Sequence, residues 1–342
     1  MNRSWLLWLG TPTLIVSSLV LGMSSNSWKP KNEELLPLPK VVTIDKQIEK
    51  TVLCNLYPMP QSLSTPDIDI FTKDKQILTT YKQSLFNYDD NLKSLSSLAD
   101  TAIEKDSKII AECVLSNIAS WAHNNVFLGE MKTTQSQYEK GKFFVSVSLI
   151  YYKIRKYNNE AFSKEIDVWL RTLARDSYVF LTEKAKKTDS YYYWMGLGFA
   201  ATSLSTKQDD LWSYAKTAME IAANNIQEDG TLISEIKKNK PMFYHLFAVS
   251  TLVPLAEFGR LKGEDWYALN NGALHRLVDL CIFGLKYPTT FRKVVMNSTE
   301  EIPYPGAGWL DLYKAKYNVP VNVPTVESSY FWLGGDVRNL FK

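Results

Sequence analysis

Residues 108–129 read KIIAECVLSNIASWAHNNVFLG, and the apolar positions of this stretch recur at steps of three and four residues. Such steps return to one face of an α-helix, so the pattern predicts an amphipathic helix with a single buried face. The same periodicity covers 77–103, whereas 143–154 is almost uniformly apolar, which is typical of a helix enclosed on all sides. Further helices are predicted over 159–185, 191–205, 209–227, 241–260 and 269–286.

Turn and capping residues separate these segments, and strand-like alternation is almost absent. Helices joined by short loops pack as antiparallel pairs, and the sequence shows no internal repeat that would build a solenoid of identical units. We therefore predict an all-α fold, an incomplete α/α toroid (α/α barrel) of helix hairpins whose inner helices surround a cleft. The loop-rich segment 304–342 is expected to fold back onto this body.

The N-terminal segment has the pattern of a targeting signal. A short positive start, 1–4, precedes an apolar run over 5–23. This pattern predicts a signal peptide or a membrane anchor within 1–27, followed by a flexible tether over 28–53 and the toroid domain over 54–342. We expect a periplasmic or secreted protein, with membrane attachment through 5–23 as the alternative.

Charge and composition exclude several classes of function. The 342 residues carry 39 basic and 36 acidic side chains, a net charge of +3 that gives no basic field for nucleic acid. The three histidines and three cysteines are not spaced as metal ligands, so we expect no metal site. We also expect no cofactor and a monomeric protein.

The three cysteines are Cys54, Cys113 and Cys281. An odd number leaves at least one free thiol. Because Cys113 and Cys281 stand in apolar helical contexts, we expect both to be buried, inert thiols.

Two aromatic motifs stand out against this background. Residues 189–194 read DSYYYW, and Tyr244-His245 follows about fifty residues later. Phenol and indole rings are surfaces on which sugar rings stack, and a tyrosine near cations is able to move protons. Alternatively, both motifs are packed aromatic helix starts. Lysines precede each motif and suit a polyanionic ligand: Lys184, Lys186, Lys187, Lys237, Lys238 and Lys240.

Taken in order, these segments resemble the alginate lyase family of exported bacterial polysaccharide lyases. The family motif Asn-Asn-His-x-Tyr-Trp corresponds to 189–194. A second motif, Asp-Gly-x-Leu followed by a basic cluster and Tyr-His-x-x-Ala-Leu-x-Pro-Leu, corresponds to 229–256. Shorter matches fall at 113–122, 270–277 and 333–337, so the resemblance extends over 54–342.

The resemblance implies a site for β-elimination at a uronic acid, with substitutions. Tyr244 keeps the family's tyrosine and would act as acid and base, while Tyr191 stands in the histidine position as an assisting proton carrier. Ser190, in the place of the second asparagine, and Lys237 or Lys238, in the place of an arginine, would clamp the substrate carboxylate. The predicted substrate-binding residues are Trp194, Tyr192 and Trp121 as stacking surfaces, with Lys240 and His245.

The resemblance therefore implies an exported polysaccharide lyase that acts on an acidic polysaccharide. The alternative is a non-catalytic polysaccharide-binding protein of exopolysaccharide or capsule assembly, derived from the lyase fold. A third hypothesis makes Asp189 and Glu235 the two carboxylates of a glycoside hydrolase, and no second sequence feature supports it.

Overall fold

The structure is a computed structural model that describes residues 56, 58–68, 72–186, 188–238, 240–291, 308–319 and 329–342. The predicted targeting segment, the tether and Cys54 lie outside these residues. Twelve helices occupy the described part of the chain: α1 Lys75–Ser84, α2 Phe86–Glu104, α3 Lys108–His123, α4 Thr134–Ile154, α5 Glu160–Val179, α6 Ser190–Thr206, α7 Asp209–Asn225, α8 Ile233–Ile236, α9 Pro241–Leu261, α10 Leu269–Lys286, α11 Pro288–Thr290 and α12 Gly308–Lys316.

The long helices form two layers, as predicted for a toroid. Helices α2, α4, α6 and α9 each pack against the next and make the inner layer. Helices α3, α5, α7 and α10 pack outside them. The inner helices α4, α6 and α9 are buried on nearly all sides because they contact both the outer layer and one another. The all-α toroid prediction is confirmed.

The C-terminal segment closes the open side of the inner layer. Strands β1 (Ser329–Tyr330) and β2 (Gly335–Asp336) pair antiparallel and pack with their connecting turn against α2 and α4. Gly335 has a φ of +95°, and a Cβ there would lie 2.2 Å from Asp100 Oδ2, so only glycine fits. The prediction that the C-terminal part folds back is confirmed for 329–342.

A buried ion pair holds this segment in place. Lys153 Nζ, inside α4, donates to Asp100 of α2 and to the carbonyl oxygen of Gly334 at 2.6 Å. Asp100 Oδ2 accepts from the backbone N–H of Asp336 at 2.7 Å, and Asn339 donates to Asp100 Oδ1 at 2.9 Å. One carboxylate thus joins two helices to the end of the chain.

The cysteine prediction is corrected at one position. Cys113 is disulfide-bonded, so it is not an inert thiol. An apolar helical context fits a buried thiol and a buried disulfide equally well, which is why the sequence pattern did not separate them. Cys281 is a free, fully buried thiol, and burial raises its pKa.

One helix in the described ranges, α9, is long and apolar enough to cross a bilayer. Of its apolar window, 94% is buried inside the fold, as expected for the core helix of a toroid. The predicted anchor at 5–23 lies outside the described residues.

Candidate functional site

The site lies where two inner helices begin. Helix α6 starts at Ser190 because Asp189 caps it, with its Oδ1 accepting from the backbone N–H of Tyr191 at 3.1 Å. Helix α9 starts with Pro241 in its first turn, where a missing N–H costs nothing. The loop that carries Lys238 joins α8 to α9, and the Lys238 side chain reaches the start of α6 through Asp189.

Lys238 brings the predicted catalytic residues together. Its Nζ lies 4.1 Å from the ring centroid of Tyr244 and 5.7 Å from that of Tyr191. The same atom lies 3.1 Å from Asp189 Oδ2 and 2.7 Å from Glu235 Oε2. Lys238 is therefore the lysine of the site, whereas the alternative, Lys237, is exposed.

Asp189 and Glu235 do not form the acid pair of a hydrolase. Both carboxylates bind the same lysine, and Glu235 is fully buried, where its Oε1 accepts from the backbone N–H of Ser190 at 2.9 Å. They position the loop and the start of α6.

Tyr191 is half-buried, and its pKa lies well above its ordinary value. Burial is the main cause, and Tyr244, Glu139 and Asp189 add to it because negative charge near a phenol opposes its ionisation. These charges and the burial of the ring favour the protonated form of Tyr191.

A third tyrosine, Tyr138 of α4, completes the group. Its ring centroid lies 4.8 Å from that of Tyr191, and burial together with the charge of Asp189 raises its pKa. Helix α5 ends at Val179, and a single π-helical turn, Phe180–Lys184, continues the helical segment close to its predicted end at 185. The ring centroids of Phe180 and Tyr138 lie 5.3 Å apart. The sequence analysis missed Tyr138 because it lies in the polar first part of α4, 134–142, where no motif marks the face that meets Tyr191.

Glu139, which the sequence analysis did not identify, lies close enough to Tyr191 to raise its pKa. Glu139 is fully buried, and its Oε1 accepts from Tyr81, Gln135 and Lys142 at 2.6–2.7 Å. Burial and the charge of Glu139 raise the pKa of Asp89 to about 6.

Within the described ranges, no group of three or more His, Cys, Asp or Glu side chains is placed to hold a metal ion.

The role predicted for Ser190 is corrected. Its side chain is fully buried, and its Oγ has no hydrogen-bond partner among the residues that the structure describes. Ser190 is the first residue of α6, and its hydroxyl is enclosed by the protein. It therefore does not reach a substrate carboxylate.

The three predicted stacking residues are core residues. Trp194 is 1% exposed and stacks on Phe247 at 4.4 Å, while its Nε1 donates to the Phe247 carbonyl oxygen at 3.2 Å. Tyr192 is 3% exposed, and Trp121 is 4% exposed. Tyr192 and Trp194 were misassigned because successive aromatic residues on a helix point in different directions, and Trp121 lies on the buried face of α3. Trp332 is only partly buried, and Lys142 Nζ lies 4.2 Å from its ring.

His245 is also misassigned as a substrate-binding residue. It is fully buried, its Nδ1 donates to the Pro241 carbonyl oxygen at 2.6 Å, and its Nε2 accepts from the backbone N–H of Leu232 at 2.9 Å. Both ring nitrogens therefore hold the loop that carries Lys238. Lys240, the last predicted binding residue, is half-buried directly before α9.

The buried histidines should make the fold less stable in acid. Burial lowers the pKa of His245 from 6.5 to about 4, and that of His275, bonded to Tyr313, also to about 4. As the pH falls, the histidines of the unfolded chain bind protons before those of the folded chain. The contribution of the two histidines to the unfolding free energy is therefore fully present above pH 6.5 and is lost as the pH falls toward 4. His245 alone should remove up to about 3 kcal/mol of unfolding free energy.

Urea unfolding at several pH values between 7 and 4, with NMR titration of the His245 ring, measures this effect. His123→Gln, at an exposed histidine on α3, should leave the profile unchanged. A His245 ring that takes up its proton near pH 6.5 in the folded protein would contradict the prediction.

Comparisons with known proteins identify the family of the chain. The family model described as alginate lyase matches residues 72–291. A polysaccharide lyase of Stenotrophomonas maltophilia (strain K279a) is 31% identical over 226 residues, which cover 65% of this chain and 68% of the relative. An alginate lyase of Cobetia marina is 23% identical, with 96% of this chain and 94% of the relative covered. The chain spans about half, 51%, of an alginate lyase of Pseudomonas syringae pv. syringae at 29% identity.

Solved structures show the same fold. The crystal structure of alginate lyase A1-III from Sphingomonas species A1 superposes with a TM-score of 0.73 at 20% identity, covering 88% of this chain and 91% of that one. A variant of A1-III in complex with a tetrasaccharide gives a TM-score of 0.69 at 19% identity, covering 87% and 90%. These neighbours have the α/α toroid fold.

Proposed function

The chain belongs to the alginate lyase family, and from this premise we propose that it is exported and cleaves a uronic-acid-containing polysaccharide by β-elimination. Family membership indicates a carbon–oxygen lyase that acts on polysaccharide. The observation that carries the proposed mechanism is the ammonium of Lys238, 4.1 Å from the Tyr244 ring and beside Tyr191.

The proposed reaction removes a proton and a leaving group from one sugar. Tyr244 Oη, as phenolate, takes the proton from C5, and the C–H electron pair forms the C4=C5 double bond. The C4–O4 bond breaks, its electron pair goes to O4, and O4 receives a proton. The ammonium of Lys238, 4.1 Å from the Tyr244 ring, offsets part of the negative charge that the phenolate adds near Asp189 and Glu235. Tyr191 donates its proton to O4. Tyr244 then passes the proton that it took from C5 to Tyr191, which returns both phenols to their starting states.

The acidic nature of the substrate is supported by the relatives. Several are named alginate lyases, and A1-III has been solved with a bound tetrasaccharide. The family acts on acidic polysaccharides. We extend that substrate class, a polysaccharide built from uronic acid residues, to this chain.

Export is supported by the charged start and the apolar run over 5–23. Fractionation of a Gram-negative host that expresses the full chain should recover the protein in the periplasm or the medium. Recovery in the membrane pellet would favour the anchor, and recovery in the cytosol would contradict export.

A panel of uronic-acid polymers tests the activity. Polymannuronate, polyguluronate, polyglucuronate and polygalacturonate are incubated with the protein, and the ultraviolet absorbance of the conjugated double bond is followed. A lyase produces this absorbance together with new reducing ends, whereas a hydrolase produces reducing ends alone. Binding to a polymer without either product would favour the non-catalytic alternative.

A further inference from the structure

Lys238 already faces two carboxylates in the protein itself. Asp189 Oδ2 lies at 3.1 Å and Glu235 Oε2 at 2.7 Å from its Nζ. Both carboxyl side chains are almost entirely enclosed, at 10% and 0% exposed, while that of Lys238 is 22% exposed. An ammonium has three N–H donors, so these contacts leave one for a ligand.

A free substrate carboxylate would meet unfavourable charge at this point. To be neutralised, it must approach Lys238 Nζ to about 3 Å, which places it within about 6 Å of both protein carboxylates. Like charges at that separation repel strongly where water is mostly excluded. The hydroxyl of Ser190 gives no assistance because it is buried.

We propose that the uronic acid residue cleaved at this site carries an esterified carboxyl group, and that Asp189 sets this preference. The inference rests on the proposed function and specifies its substrate. An ester carries no charge to neutralise, and its carbonyl group makes the C5 proton acidic as a neutralised carboxylate does. The remaining N–H of Lys238 donates to the ester carbonyl oxygen while negative charge develops there. The ester bond is unchanged, and the proton and O4 leave as in the free acid.

The charge of Asp189 is separable from its structural role. Asparagine has the same shape, and its side-chain oxygen caps a helix as well as that of aspartate. Asp189→Asn therefore keeps the start of α6 and removes one of the two carboxylates beside Lys238. Asp210→Asn is the matched control, because Asp210 lies on the outer helix α7 and pairs there with Arg175.

The experiment compares methyl-esterified and free-acid forms of the same polymer at pH 7 or below, with enzyme-free blanks because esters eliminate in alkali. We expect the wild-type protein to give the higher kcat/KM on the ester. Asp189→Asn should shift the ratio of the two kcat/KM values toward the free acid by about tenfold or more, and Asp210→Asn should leave it unchanged.

The outcomes separate this inference from the proposed function. A wild-type preference for the free acid overturns the inference and leaves the lyase in place. A preference for the ester that Asp189→Asn does not alter overturns the role of Asp189. Absence of the double bond from both forms of every polymer refutes the proposed function itself. The wild-type comparison decides the substrate even if Asp189→Asn does not fold.

Discussion

Replacing Tyr244 by phenylalanine should lower kcat by about 10²–10⁴-fold, because the variant lacks the hydroxyl that takes the C5 proton and later returns one. The ring remains, so the contact with Lys238 Nζ at 4.1 Å is retained. Tyr244 is half-buried, and we expect substrate binding and the unfolding free energy to change little. Initial rates of double-bond formation, with urea unfolding of the same samples, measure both quantities.

Tyr214→Phe is the control for this variant. Tyr214 is also half-buried, but it lies on the outer helix α7 and stacks on Tyr178 at 3.8 Å. It should retain wild-type activity. If Tyr244→Phe keeps a rate within twofold of wild type, Tyr244 is not the base, and the proposed roles of the two phenols are wrong.

Replacing Lys153 by alanine should lower the unfolding free energy by about 3–5 kcal/mol, because it leaves the carboxylate of Asp100 buried without its cation. The Lys153 side chain is fully buried, and the pair holds Gly334 and Asp336 against α2 and α4. We expect the C-terminal segment to detach early, which limited proteolysis within 329–342 would detect alongside urea unfolding.

Lys156→Ala is the matched control for this pair. Lys156 lies one turn further along the chain and pairs with Asp106 at 2.8 Å, with 54% and 79% of the two side chains exposed. Water screens an exposed pair, so its loss should change the unfolding free energy little and this variant should resemble wild type. If the two variants lost the same amount of unfolding free energy, burial would not govern the strength of the Lys153–Asp100 pair.

Local signals in the sequence predicted the helices closely. The helices predicted over 191–205, 241–260 and 269–286 correspond to Ser190–Thr206, Pro241–Leu261 and Leu269–Lys286. Periodicity and capping act within a few residues, and Asp189 and Pro241 mark their helix starts with side-chain chemistry that is visible in the sequence. The helical segment predicted over 159–185 corresponds to Glu160–Val179 and the π-helical turn Phe180–Lys184, and the sequence pattern did not show the change from α to π geometry.

The candidate site was only partly predictable. The two motifs located the helix starts, and the choice of Tyr244, Tyr191 and a lysine brought together residues that do meet. The pattern of 189–194 did not separate the half-buried Tyr191 from the buried Tyr192 and Trp194. These positions are successive on one helix, and α6 is apolar on all sides, so periodicity does not show which face meets the cleft.

By itself, the sequence determined the all-α class, the helix boundaries, the family and the two motifs, because each depends on residues close together in the chain or on their order. Only the tertiary structure decided which lysine serves the site, that Ser190 and His245 are buried, and that Asp189 and Glu235 both bind Lys238. Asp189 and Lys238 are 49 positions apart in the chain. The buried charges of this site come together only where the starts of α6 and α9 pack against the loop that carries Lys238. That contact is a property of the packed fold, and the chemistry of the cleft follows from it.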